Sequence, residues 1–210
     1  MSEEKRKRLG HSEARDRILA AAARVYNRQG ERTTVQQIAE EADYSTAALY
    51  KHFSDKDDIF ESLWHSVKEE VLAVLQTEPP MKLGFIGRLK WLLFQFADMA
   101  EQDEEIFLAS MANAPAPSRL ENLDASMVEF YAKYRETMRT IMEQGRHEGV
   151  LDDSRSADLY ALALGGQMQA LIERWAVEGP FPLRPRMEEM LELFLRGAAD
   201  PDAQLDSLQS

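Results

Sequence analysis

The strongest constraint on this chain is where its helix breakers fall. The main breaks lie at Gly30, at Pro79-Pro80, at residues 114–118 (APAPS), at Gly149 and at residues 179–185, with a polar break around Asp43. Between these points apolar residues recur every three or four positions, and the good helix formers Ala, Leu, Met, Glu and Gln dominate. No run alternates apolar and polar residues with the β-branched enrichment that a strand needs. The chain is therefore expected to be all-α, with about nine helices.

The spacing predicts helices over residues 12–29, 35–41 and 46–52, and a longer one from Ser54-Asp55 with Ile59, Leu63 and Val67 on its apolar face. Further helices are expected over 83–102, 104–113, 120–148, 153–177 and 186–198. The 29 residues of 120–148 would make a rod of about 45 Å at 1.5 Å per residue. Ser12 is placed as the cap of the first helix, with the stripe Ile18, Ala22, Val25 and Tyr26 behind it and Gly30 as its stop. The polar segment 199–210 lacks periodicity and is expected to be disordered.

Composition excludes several classes at once. The 210 residues contain no cysteine, which removes disulfide scaffolds, cysteine zinc sites and thiol nucleophiles. The longest apolar runs, such as Ile18 to Ala23, are too short to span a bilayer, and no apolar stretch follows the basic Lys5 to Arg8 as a secretory signal would require. A cytoplasmic protein without membrane partners is expected. His11, His52, His65 and His147 show no metal-ligand spacing, so no metal and no cofactor are expected. No nucleophile elbow, phosphate loop or dinucleotide fingerprint appears, which argues against an enzyme.

The net charge of −12 is unevenly distributed. Residues 1–53 carry 10 Lys/Arg against 8 Asp/Glu, while residues 54–210 carry 15 against 29. An acidic body repels phosphate, so contact with DNA would have to be confined to the head.

The head has the layout for such contact. Thr34 and Gln37 form a capping box that starts a two-turn helix, and Ser45 can cap a second short helix after a tight turn at Asp43-Tyr44. Two short helices behind a supporting one make a helix-turn-helix. Ile38, Ala39 and Ala42 would pack on Ala48, Leu49 and Phe53, leaving Ser45, Thr46, Ala47, Tyr50 and Lys51 outward, where they could meet phosphates or base edges.

From Thr33 to Phe60 the chain reads TTVQQIAEEADYSTAALYKHFSDKDDIF. This resembles the DNA-binding domain of the TetR/AcrR family of transcriptional repressors, whose pattern is approximately TTxxxIAxxAGVSxGxLYxHFxxKExL. The match covers Thr33-Thr34, Ile38-Ala39, Ala42, Ser45, Leu49-Tyr50, His52-Phe53 and Lys56. The resemblance implies a helix-turn-helix domain over residues 11–71, with its motif at 34–53. It also implies an effector-binding and dimerisation domain over 72–198. Thr34 would cap and touch a phosphate, and Ser45, Thr46 and Ala47 would face the groove. Tyr50 and His52 would contact the backbone, Lys56 would favour phosphate at a helix start, and Gln36 and Gln37 could reach the backbone as well. Two positions depart from the pattern. Asp43 stands at the turn glycine and Ala47 at the recognition-helix glycine, so the bases read stay open. Lys5 to Arg8 reads first as a solvated tail and otherwise as a minor-groove arm.

For the body the resemblance implies a ligand cavity and a dimer face. Trp91, Phe107, Met111, Phe130, Tyr134 and Met138 are expected to line an apolar pocket, with Gln167 as a polar contact; Gln95 and Gln144 are further candidates. The last two helices would form a four-helix bundle with a second chain. Leu159, Leu162, Gly165, Gly166, Met168, Leu171, Trp175, Leu191 and Leu195 are the expected interface. The expected function is that of a homodimeric repressor on pseudo-palindromic double-stranded operator DNA, released by a lipophilic small-molecule effector. Alternatives are an activator, or a helical ligand-binding protein or enzyme that does not engage DNA.

Overall fold

A computed structural model describes the backbone of residues 3–79, 82–113, 125–179 and 181–198. The side chains of Lys5 to Arg8, the APAPS segment and the segment from residue 199 lie outside the described residues. Among the described residues there are nine α-helices and no β-strand. They are α1 (Glu3–Gln29), α2 (Val35–Glu41), α3 (Thr46–Leu49), α4 (Lys56–Gln76), α5 (Phe85–Gln102), α6 (Glu104–Ala112), α7 (Ala125–His147), α8 (Ala157–Glu178) and α9 (Leu183–Ala198). None of them is long and apolar enough to cross a membrane.

Helix starts differ from expectation in ways that local chemistry explains. α1 begins at Glu3 rather than at Ser12, because the Glu, Lys and Arg that precede it are strong helix formers and carry the helix past the expected cap. α8 begins at Ala157 rather than at residue 153. Asp152 turns the chain first, accepting from the Ser154 amide at 2.8 Å, and Ser156 then caps by accepting from the Leu159 amide at 3.2 Å. α5 and α9 have distant caps: the Phe85 amide donates to Glu148 Oε2 at 2.7 Å, and the Leu183 amide to Glu101 Oε1 at 2.7 Å.

The chain divides into two compact units. One holds α1 to α3, α4 up to Glu70, and α6; the other holds the remainder of α4, α5 and α7 to α9. The division falls between Glu70 and Val71, and α6, although it lies later in the sequence, packs on α1 within the first unit.

The core of the first unit joins Ile18, Ala22 and Val25 of α1 with Ile38, Ala39, Ala42, Leu49, Phe53, Ile59, Leu63 and, from α6, Ala109. Alanines at 21, 22, 23, 39 and 42 leave room for the helices to approach closely. Ser110 Oγ adds a link to the Leu63 carbonyl at 3.2 Å, and the Asn27 side chain donates to the Glu105 carbonyl at 2.9 Å.

In the second unit α7 packs on α8 and α8 on α9. Arg184 binds Asp98 of α5 through two hydrogen bonds and lies 5.1 Å from the Phe94 ring centroid. Such an exposed ion pair fixes geometry more than it stabilises.

Candidate nucleic-acid interface

The head is built from two caps and one turn. Thr34 Oγ1 accepts from the Gln37 amide at 3.3 Å, while Gln37 Oε1 accepts from the Thr34 amide at 3.0 Å, a complete capping box at the start of α2. At the other end Asp43 takes φ +62°. The Asp43 amide then donates to the Glu40 carbonyl at 3.2 Å and the Tyr44 amide to the Ala39 carbonyl at 2.9 Å, closing a Schellman motif. Aspartate can occupy this left-handed position, which a glycine would take with less strain. Ser45 then accepts from the Ala48 amide at 3.1 Å and opens α3.

α3 is shorter than the sequence implies. It ends at Leu49 rather than at residue 52, and the chain tightens into i→i+3 bonds, Lys51 to Ala48 at 3.2 Å and His52 to Leu49 at 2.8 Å. The segment divides cleanly between inside and outside. Leu49 and Phe53 are 0% and 2% exposed, whereas Tyr50 is 52% exposed. Thr34, Gln36, Ser45, Ala47 and Lys51 are also exposed, while Gln37, Thr46, His52 and Lys56 are half-buried.

Several of these groups already have partners. Gln37 Nε2 donates to Gln29 Oε1 at 2.8 Å and Gln36 Nε2 to Glu40 Oε1 at 3.0 Å. The His52 ring meets the Tyr44 ring edge-on at 6.4 Å. Lys56 Nζ donates to the Glu31 carbonyl at 2.9 Å and lies 5.9 Å from the Phe60 centroid. The start of α4 is itself capped by carboxylates, since Asp55 Oδ1 accepts from the Asp58 amide at 2.9 Å and Asp58 Oδ2 accepts from the Ser54 amide at 2.8 Å. The Asp58 amide at that helix terminus is thus already engaged, and the carboxylates of Asp55 and Asp58 beside it oppose an approaching phosphate.

Sequence reasoning missed Arg15 and Arg17 of α1. Arg17 Nη2 donates to the Ala42 carbonyl at 3.2 Å, and Arg15 donates to the His52 carbonyl and, at 3.1 Å, to Ser62 Oγ. They lie outside the helix-turn-helix motif, and nothing in its spacing signals them. On α2, Glu41 accepts from Arg24 at 2.8 Å and from Arg28, and these partners hold its carboxyl below the usual carboxylate range.

The expected pocket residues are divided between the two units. Phe107 is buried and Met111 half-buried on α6, in the first unit. In the second, the Phe130 and Tyr134 rings of α7 stack with centroids 6.4 Å apart, Met138 is buried beneath them in sequence, and Trp91 of α5 is half-buried. The Tyr134 hydroxyl lies 3.4 Å from where a Cβ on Gly165 would stand, and burial pushes the phenol above its ordinary value. Gln167 Oε1 is buried with no hydrogen-bond partner among the described residues. Gln95 is half-buried, and Gln144 is held between Arg88 and Glu148, at 3.2 Å and 2.7 Å.

The expected dimer residues fall on both sides of α8 and α9. Trp175, Leu191 and Leu195 are buried in the chain's own core, so they cannot form an outward stripe. Gly165, Met168 and Leu171 are half-buried. The outer face of α8 carries Leu159, Leu162 and Gly166, together with Val177, and Leu193 is exposed on α9.

A three-helix head that presents an exposed, serine-capped short helix over a buried Leu-Phe pair defines a helix-turn-helix DNA-binding regulator. Comparison with known proteins agrees. Residues 18–63 match the family model described as bacterial regulatory proteins, tetR family. The HTH-type transcriptional regulator AcrR of Shigella flexneri is 36% identical over 178 residues, covering 78% of each chain. The HTH-type transcriptional regulator HbdR of an Aromatoleum species is 48% identical over 48 residues, which are 22% of this chain and 21% of that protein. Among solved structures, the TetR family protein CprB of S. coelicolor superposes with a TM-score of 0.73 at 20% identity, over 94% of this chain and 95% of that one. The chain belongs to the TetR family of transcriptional regulators. Members bind operator DNA, usually as dimers, and are not enzymes, so the reading as a helical protein that does not engage DNA is set aside.

Proposed function

We propose that the chain is a homodimeric repressor that reads a pseudo-palindromic operator and leaves it when a lipophilic small molecule binds the C-terminal unit. The observation that carries the DNA reading is the division of the α3 segment, with Leu49 and Phe53 inward and Ser45, Ala47, Tyr50 and Lys51 outward. Thr46 and Ala47 stand at the start of that helix, where a recognition helix meets base edges, and the Ala47 methyl suits a thymine methyl. Thr34, Tyr50, Lys51 and His52 serve the phosphates. Gln36, Gln37 and Lys56 each spend one donor on a partner within the chain and would reach DNA through the donors that remain. The DNA-binding domain is residues 11–71 with α6 docked on it, and residues 72–198 otherwise form the effector and dimer domain.

Phe130, Tyr134, Met138 and Trp91 support an apolar effector site in the second unit. The Tyr134 hydroxyl and Gln167 Oε1, which has no hydrogen-bond partner among the described residues, are polar groups able to orient a ligand there. Leu159, Leu162, Gly166, Val177 and Leu193 are the dimer face. An effector acts by favouring a state whose two heads are wrongly spaced for DNA, and the release it causes equals its differential affinity for the two states.

Footprinting on the DNA flanking the chain's own gene, repeated with a panel of lipophilic compounds, tests this reading. Protection of an inverted repeat that one of these compounds abolishes is the expected result. Protection that no lipophilic compound weakens would contradict the effector class and leave the DNA reading standing.

A further inference from the structure

Two arginines of α1 grip the two ends of the recognition segment. On the entry side, Arg17 donates to the carbonyl of Ala42, the last residue before the Asp43 turn, and its guanidinium carbon lies 5.4 Å from the Tyr44 ring centroid. On the exit side, Arg15 donates through Nη1 to the His52 carbonyl and through Nη2 to Ser62 Oγ on α4, at 3.1 Å for the latter. Its guanidinium carbon lies 4.1 Å from the centroid of Phe53. The Tyr44 and His52 rings then meet each other edge-on. The recognition segment is thus fastened to the supporting helix at both ends.

A helix of four residues cannot hold its own orientation. Leu49 and Phe53 fix how deeply it sits, but apolar burial is non-directional and leaves rotation and tilt loosely set. Hydrogen bonds to fixed carbonyls are directional. A planar guanidinium presents its donors in a fixed fork and lies flat over a ring; an ammonium in its place would keep the charge and lose that fork.

We infer that Arg15 and Arg17 are positioning residues for operator reading. They hold the pose in which Thr46, Ala47 and Tyr50 meet DNA, and Arg15 ties that pose to α4 through Ser62. This rests on the reading of α3 as the recognition helix. A group that positions without touching DNA sets specific affinity and leaves the electrostatic, sequence-independent part of binding alone.

The test uses the full chain and a short duplex selected from random DNA by the unsubstituted protein, with poly(dI-dC) as the nonspecific probe. Dissociation constants are read across a salt series for Arg15→Met, Arg15→Lys, Arg17→Met and Ser62→Ala, with a thermal melt of each. Arg15→Met and Arg17→Met should weaken the selected duplex roughly 10- to 100-fold, with poly(dI-dC) affinity and the salt slope unchanged. Arg15→Lys should recover only part of the loss. Equal losses on both DNAs, with the salt slope falling by about one, would mark a direct phosphate contact and overturn the inference. If Arg15→Met fails to fold, Arg15→Lys and Ser62→Ala decide. Specific weakening in either supports positioning, and unchanged specific affinity in both overturns it. Failure of the unsubstituted protein to enrich any duplex would remove the DNA reading itself and this inference with it.

Discussion

Thr34 and Gln37 hold each other across the first turn of α2, the Gln37 amide donating to Thr34 Oγ1 at 3.3 Å and the Thr34 amide to Gln37 Oε1 at 3.0 Å. Removing either side chain strands a backbone donor at the helix start. Thr34→Ala should therefore lower stability by about 1 kcal/mol. Gln37→Ala should also loosen the tie to Gln29. Chemical denaturation of the two variants checks both, and operator affinity should fall with stability in Gln37→Ala rather than independently of it.

Tyr50 behaves differently because it is half exposed while its neighbour Leu49 is fully buried. Tyr50→Ala should leave the melting temperature nearly unchanged and cost DNA binding about 1–3 kcal/mol, roughly 5- to 150-fold in affinity. Leu49→Ala should reverse the pattern, removing about 2–5 kcal/mol of stability. Paired melts and anisotropy titrations separate the two.

Glu41 predicts a pH dependence of the head. Its pKa is lower in the folded chain than in the unfolded one, because Arg24 and then Arg28 bond its carboxylate. The stabilisation is therefore complete above the unfolded value and disappears as the pH falls through the folded value. Glu41→Gln should be less stable than the parent at neutral pH, and the gap should close below the usual carboxylate range. The exposure of its two arginine partners keeps the effect small. Denaturant titrations at a series of pH values read it directly.

Leu162 is 72% exposed on the outer face of α8. Leu162→Glu should leave the chain folded and raise the dimer dissociation constant by at least about tenfold, since a charge would have to be buried across the interface. Sedimentation at several concentrations measures it, and an unchanged dimer would move the interface elsewhere.

Gly145 is a packing requirement inside the second unit. A Cβ there would stand 2.9 Å from the Leu151 and Phe85 side chains. Gly145→Ala should destabilise by about 1–3 kcal/mol, despite the better helix propensity of alanine. Gly166→Ala meets nothing within 4 Å among the described residues and should not destabilise the isolated chain. Thermal melts of the two variants should therefore move in different directions or by clearly different amounts.

The helical class and the caps of α2 and α3 were legible in the sequence, because capping and turn chemistry act over three or four residues. Ser45 and the Thr34–Gln37 pair carry their partners within that reach. What depended on distant pairing was not legible. Leu191 and Leu195 form a clear stripe, but periodicity cannot say that the chain's own core covers it and leaves Leu193 outside. Phe107 and Met111 read as lining of the body, yet α6 packs on α1 of the head. The early start of α1 followed from helix propensity outweighing the apparent cap at Ser12. Arg15 and Arg17 reach partners 37 and 25 residues away, and no local pattern records such contacts.

Selection of random duplex DNA by the purified full-length chain at near-physiological salt tests the central claim most directly. Sequencing of the bound pool should reveal an inverted repeat whose half-sites lie about one helical turn apart or somewhat more, one for each recognition helix of the dimer. A pool that stays random, with binding only at low salt, would mean that the head attracts DNA without reading it, and would contradict sequence-specific regulation by this chain.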